Sequence, residues 1–242
     1  MAPGLRHIKQ RMPDLISTSP SQSSEPPAWA ALFDWDGVII DSSRHHEESW
    51  ERLGREVARP LPEGHFKRGF GRKNEYIIPE LLNWTKEETE IRKISLRKEA
   101  LYREVVAEWG LEPLPGVRTW LERLRDAGVP CAIGSSTHRA NIDLSLGLIG
   151  LTEFFRAIIT AEDVTKGKPD PDVFLKGAQA LGCTPERCVV FEDALVGIAA
   201  ARAGGMKVVA VATTHPAAEL SMADLAVERL DELQPAQLAA WF

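Results

Sequence analysis

The 242-residue sequence predicts an α/β fold: a parallel sheet with helices on both faces, interrupted by a purely helical insertion. Three observations predict it. Short apolar runs (WAALFDW, VPCAIGSS, RCVVFED, MKVVAVATT and a weaker RAIITAED) each end in polar or acidic residues. Such runs read as strands buried on both faces, as strands of a parallel sheet are. From about residue 115 they alternate with helical segments, the pattern of a Rossmann-like sheet. Residues 43–112, by contrast, carry helical patterns with no strand run between them.

Residues 1–27 come first. The stretch STSPSQSSEPP is Ser/Pro-rich without apolar periodicity, so a disordered tail is expected there. Residues 28–42 and 113–242 form the predicted core domain, and 43–112 a helical cap domain. In the cap, SRHHEESWERLG, NEYIIPELL and EETEIRKISLRKEALYREVVAEWG are helical by pattern. The pairs Glu90/Lys93 and Glu99/Arg103 predict a solvated face on the last of these. In the core, Leu121 and Leu124 mark one helix, and Phe174, Leu175, Ala178 and Leu181 a second. Ile198 with Ala199–Ala201 marks a third, stopped by Gly204-Gly205.

Composition sets outer bounds. At 44% hydrophobic and 26% charged, the chain can bury a core, which excludes collagen-like, wholly disordered and disulfide-scaffold classes. No apolar run approaches the roughly 20 residues of a membrane span, so a soluble protein without a membrane partner is expected. A net charge of -6 argues against nucleic acid as the main partner. Cys131, Cys183 and Cys188 form no CxxC pair, and the odd count fits a reducing, cytoplasmic setting. Cys131 and Cys188 lie in strand runs and read as small buried hydrophobes. A monomer is expected.

Open parallel sheets bind ligands at the C-terminal ends of their strands, and each polar cluster falls at one. FDWDGVIIDS places Asp34 and Asp36 after the first strand, with Gly37 allowing a tight turn. Asp34 can attack phosphorus as a carboxylate nucleophile, and Asp36 can protonate a leaving oxygen and then activate water. A calcium loop is the competing reading of DxDG, but it needs a ligand ladder that Ile40 and Ser43 do not supply. Ser135 and Ser136, before a helix start, suit phosphate oxygens or a plain helix cap. Lys168, stiffened by Pro169 and Pro171, can neutralise phosphoryl charge. Lys166 competes with it, and either can be a solvated loop charge. Glu192 and Asp193 add hard oxygen ligands for Mg²⁺ to that of Asp34, or else start a helix.

These four elements, in this order, resemble the haloacid dehalogenase superfamily of aspartate-nucleophile phosphotransferases. The likeness is to the subgroup with a helical cap after the first motif, which includes β-phosphoglucomutase and many sugar-phosphate phosphatases, and it covers Ala28 to the end. It implies Asp34 as nucleophile and Asp36 as acid/base lending a carbonyl to the metal. Ser135, Ser136 and Lys168 would hold the phosphoryl group, and Glu192 and Asp193 would complete a Mg²⁺ site. Trp35, where the family more often has Leu or Met, should point into the core. His46 matches a cap-hinge histidine that reaches Asp36 on closure, with His45 on the solvent face. KRGFGRKNEYI occupies the specificity loop, so Arg72 and Lys73, and more weakly Arg68, are candidates for the substrate's distal end. The loop lacks the mutase's serine, and SSTHRAN has Arg139 where the mutase tends to have asparagine, with Asn141 two residues on. The expected function is therefore a Mg²⁺-dependent phosphatase of a small phosphorylated metabolite, a sugar phosphate. The alternatives are β-phosphoglucomutase or, with the catalytic acids idle, a non-enzymatic binding protein.

Overall fold

The computed structural model describes residues 27–69 and 72–242. The expected tail over 1–27 therefore lies outside the described residues, Pro27 excepted. Six strands, β1 (Ala30–Phe33), β2 (Cys131–Gly134), β3 (Phe155–Ile159), β4 (Cys188–Glu192), β5 (Lys207–Val211) and β6 (Leu225–Val227), form one sheet in the order β3-β2-β1-β4-β5-β6. Every pairing is parallel. Side chains alternate across it: Ala31 and Phe33 join one apolar cluster, Ala30 and Leu32 the other.

Helices cover both faces, as the strand composition requires. α5 (Val117–Asp126) and α6 (Arg139–Ile149) place Trp120, Leu121, Leu124, Ile142 and Leu146 on the first face. The short α9 (Pro235–Ala239) adds Leu238 there. α7 (Asp172–Ala180) and α8 (Leu195–Ala203) place Phe174, Ala178, Ile198 and Ala201 on the second. Trp35 is fully buried in the first cluster, while Cys131, Cys183 and Cys188 are buried and free. β6 was not expected: three residues inside ADLAVERL are too few to show a run, and only pairing to β5 makes them a strand.

Between β1 and α5 stand α1 (Ser43–Glu56), α2 (His65–Gly69), α3 (Asn74–Tyr76) and α4 (Glu88–Trp109), with no strand among the described residues of this span. Ile77–Leu81 continues α3 as a wider π-helical turn around Pro79, which has no N–H to give the regular ladder. Trp50, Leu53, Ile78, Ile94 and Leu101 give this cap its own apolar cluster. No described helix is long and apolar enough to cross a membrane.

Two expectations about α4 fail. Glu90 pairs with Arg59 at 2.8 Å rather than with Lys93. Glu99 is only 4% exposed and faces Lys98 and Asn74, while Arg103 donates to Asn141. The outward face uses Arg97, which pairs with Glu56 and Glu104. A like-spaced charge pair marks a solvated face only when the apolar stripe lies opposite, and here Glu99 sits beside Ile94, Lys98, Leu101 and Tyr102 on the buried side.

Candidate active site

The sheet order reverses between β1 and β4, and a crevice opens at the carboxyl ends of adjacent strands where that happens. Asp34 follows β1, its N–H donating to the Phe191 carbonyl at 2.9 Å. Gly37 turns the chain with φ +80°, and a Cβ there would stand 2.0 Å from Asp193 Oδ2. Only glycine lets this turn close against the acid after β4. Lys168 Nζ lies 2.8 Å from Asp34 Oδ1 and 2.6 Å from Glu192 Oε1, over the Phe174 ring. Of the two candidate lysines, Lys166 is exposed and Lys168 is buried beside the acids. Glu192 Oε2 accepts from the N–H groups of Asp193 and Ala194, each at 2.8 Å. Asp193 Oδ2 accepts from the Thr214 hydroxyl, but its Oδ1 is buried with no partner.

Charge on this shelf is unbalanced. Burial, with the negative charges of Glu192 and Asp36, pushes Asp34 up to about 7 against the pull of Lys168. Burial, Glu192 and Asp34 raise Asp193 well above the carboxylate range. Asp34, Glu192 and Asp193 each offer an oxygen, all within 4.8 Å of one another. Three buried carboxylates with one lysine, and one oxygen left without a partner, suit a hard divalent cation. Mg²⁺ fits this donor set, with Glu192 the acid most committed to protein hydrogen bonds.

Asp36 is held differently. Burial alone would raise it, but the His46 contact and the hydroxyls of Ser42 and Thr137 hold it down to about 2. Ser42 donates to Oδ1, and Thr137 Oγ1 donates to Oδ2 at 2.5 Å. His46 Nε2 is 3.3 Å from Oδ1, and its Nδ1 is 2.7 Å from the Lys98 ammonium. With Nδ1 accepting from Lys98, the imidazole proton belongs on Nε2, facing Asp36. Burial and the Lys98 charge lower the His46 pKa, in keeping with a neutral ring. The ring stacks on Tyr102 with centroids 4.1 Å apart.

Above the shelf lies a cavity lined by Asp34, Asp36, Ser135, Ser136 and Thr137 from the core. The cap contributes His46, Trp50, His65, Arg72, Lys98 and Glu99. Ser135 is buried and Ser136 half-buried; α6 starts only at Arg139, so neither serine caps it. Ser135 Oγ instead accepts from the Thr137 N–H at 3.1 Å.

Three cap residues depart from expectation. Lys73 does not face the cavity: its ammonium donates to the core carbonyls of Ala161 and Val164, at 2.7 and 3.0 Å. Arg68 is exposed and turns back to the Glu63 carbonyl. His45 is half-buried rather than solvent-facing, with Nε2 2.8 Å from the Gly110 carbonyl and its ring against Trp109. Arg72 alone of the loop cations lines the cavity, its guanidinium 4.5 Å from the Tyr76 ring centroid.

Sequence reasoning missed Ser42, Thr137, Lys98, Glu99 and Thr214. Lys98 left a signal, since a lysine in phase with Ile94, Leu101, Tyr102 and Val105 occupies the buried stripe of its own helix. Ser42 and Thr137 left none beyond being hydroxyls near a motif.

The model of the haloacid dehalogenase-like hydrolases matches residues 31–211. The chain belongs to that family. It is 39% identical over 206 residues to the chloroplastic 5-amino-6-(5-phospho-D-ribitylamino)uracil phosphatase of Arabidopsis thaliana, covering 84% of this chain but 55% of that protein. It is 33% identical over 208 residues to hexitol phosphatase A of Escherichia coli, covering 84% and 91%. A crystal structure of a haloacid dehalogenase hydrolase from Entamoeba histolytica superposes with a TM-score of 0.79 at 29% identity, over 88% and 98% of the two chains. The family and these relatives place the chain among phosphoric monoester hydrolases.

Proposed function

We propose that the protein is a Mg²⁺-dependent phosphatase that hydrolyses a small phosphorylated metabolite, a sugar or polyol phosphate, through an aspartyl-phosphate on Asp34. The observation that carries this reading is the contrast between the two aspartates. Asp34 sits among Lys168, Glu192 and Asp193, while Asp36, two residues on, is bound by Ser42, Thr137 and His46. A cation held beside Asp34 would draw that carboxyl to its ionised, nucleophilic form, while Asp36, set apart among hydroxyls and an imidazole, is free to carry a proton.

Asp34, Glu192 and Asp193, with Asp36, would hold Mg²⁺, which neutralises charge on the phosphoryl oxygens when bound. Lys168 offsets the same charge, and Ser135 and Ser136 face the group from the α6 side. Asp34 Oδ attacks phosphorus as the bond to the leaving oxygen breaks, and that oxygen takes a proton from Asp36. Asp36 is ionised in the free protein, so it first needs a proton, which a monoanionic phosphate ester can bring. Once deprotonated, Asp36 takes a proton from water, whose oxygen attacks phosphorus and frees Asp34 and inorganic phosphate.

The test uses purified protein with Mg²⁺ and a panel of fructose, glucose and hexitol phosphates and 5-amino-6-(5-phospho-D-ribitylamino)uracil. Free phosphate and glucose 6-phosphate are followed together, with β-glucose 1-phosphate and a trace of the 1,6-bisphosphate included. Phosphate release that EDTA abolishes, and that Asp34→Asn lowers by on the order of 10⁴-fold or more, is the expected result. Bisphosphate-dependent glucose 6-phosphate with little free phosphate would replace this reading by a mutase.

A further inference from the structure

Lys73 is bound to the core rather than to the cavity it was expected to serve, and the place where it lands is informative. Its ammonium donates to two backbone carbonyls, Ala161 and Val164. The segment carrying them backs the phosphate-facing loop: Ala161 N–H donates to the Thr137 carbonyl, and Ser135 N–H to the Ile159 carbonyl. Downstream, the same segment runs through Gly167 to Lys168. Gly167 provides a second, independent observation. A Cβ there would stand 2.9 Å from both Cγ and Cδ of Lys73, so the lysine stem crosses directly over this glycine. Its φ is ordinary, so the missing side chain is needed for the crossing and not for the backbone.

On the cap side the neighbours of Lys73 have other tasks. Arg72 lines the cavity, and Asn74 donates to Glu99 at 2.7 Å and to Ser95 at 3.0 Å. Glu99 in turn accepts from Asn141 on α6 of the core. The loop that presents Arg72 is thus tied to the core twice on its C-terminal side, directly through Lys73 and by relay through Asn74, Glu99 and Asn141. A lysine that reaches from the cap to two core carbonyls forms a charge-assisted contact of the kind that cap closure would make.

We propose that Lys73 is a positioning residue: it latches the Arg72 loop of the cap onto the segment that backs Thr137 and leads to Lys168, so that the distal and phosphoryl ends of the site are set at a fixed separation. Its kinetic consequence rests on the phosphatase reading, whereas its structural consequence does not. The latch is broken by Lys73→Ala and obstructed by Gly167→Ala.

Hydrogen exchange on the free full-length chain reads the structure. Lys73→Ala should speed exchange of amides in residues 159–168 by about tenfold, with amides of β1 and β4 unchanged. Lys73→Arg should restore most of the protection. Gly167→Ala should speed exchange in the Lys73 background and add nothing to Lys73→Ala, since both act through one contact. For turnover of a phosphorylated sugar, Lys73→Ala should raise KM about tenfold with kcat within about threefold, as expected of lost orientation of a bound substrate. Unchanged exchange in Lys73→Ala, or additive effects of the two substitutions, overturns the latch. Exchange that changes as expected in a protein that hydrolyses no phosphate ester leaves the latch standing and removes the phosphatase reading instead.

Discussion

The two sides of the cavity are built in opposite ways. The floor centres on the carboxyl ends of the paired strands β1 and β4, so Asp34, Glu192 and Asp193 are fixed by backbone already committed to the sheet, and Lys168, from the loop after β3, is clamped between Asp34 and Glu192. The roof comes from three helices and a loop, and each of its groups is held by a group from a different element: His46 by the Lys98 side chain, Glu99 by those of Asn74 and Asn141, Lys73 by the backbone carbonyls of the core. A floor of this kind keeps its geometry when one contact is lost. A roof of this kind can shift as a body, and in the proposed function the chemistry therefore falls to the floor and selection to the roof.

The sharpest way to break that division is to remove the one cation of the floor. Lys168→Met should lower kcat/KM by on the order of 10³-fold, as loss of a preorganised charge does, for large and small phosphate esters alike. It also leaves Asp34 and Glu192 facing each other without a countercharge, so the variant should melt well below the parent in EDTA, with Mg²⁺ recovering part of the difference. A Lys168→Met protein that lost only KM, and only for large substrates, would move Lys168 to the selecting side.

The roof makes its own prediction through pH. Burial would raise the Glu99 pKa, but the Lys98 charge foremost, together with the Asn74 bond, holds its carboxyl down to about 2, against 4.5 for an ordinary glutamate. On acidification the unfolded chain takes up this proton before the folded one does. The stabilisation is therefore complete above about pH 4.5 and is lost as pH falls toward 2; it amounts to ~3 kcal/mol. Glu99→Gln should be less stable near neutrality by up to about that amount, and its urea midpoint should vary less between pH 4.5 and 2 than that of the parent. Parallel acid limbs for the two proteins would mean that Glu99 is not ionised in the fold and that the Asn74–Asn141 relay has another basis.

The same contrast explains what could be read in advance. Lys168, well beyond the end of β3, stood out by the prolines that follow it. Asp34, Asp36, Glu192 and Asp193 each stand within a few residues of a strand end, where an apolar run followed by an acid announces itself without any tertiary information. Five of the six strands were legible for that reason, and β6 was not because three residues carry no pattern. On the roof the partners are far apart in sequence: His46 meets Lys98 across 52 residues and Asn141 meets Glu99 across 42. Composition of the KRGFGRKNEYI loop showed that cations are present, but only packing decides that Arg72 faces the cavity, Lys73 the core and Arg68 the solvent. Glu99 was misplaced because a charge pair spaced four apart looks the same on either face of a helix.

The smallest expected effect is also the most selective. Arg72 stands over Tyr76 at the cavity wall, where a planar fork can hold a second anionic or hydroxylated group of the substrate. Arg72→Ala should raise KM about tenfold for hexose and polyol phosphates with kcat nearly unchanged, because the lost contact is made equally in ground and transition states. p-Nitrophenyl phosphate, which has no hydroxylated distal end, should be affected by no more than about twofold. Arg72→Lys should recover little, since a point charge neither stacks on Tyr76 nor offers two parallel donors. A fall in kcat shared by p-nitrophenyl phosphate would carry Arg72 across to the phosphoryl end, and the separation of floor from roof would fail at the residue on which it most depends.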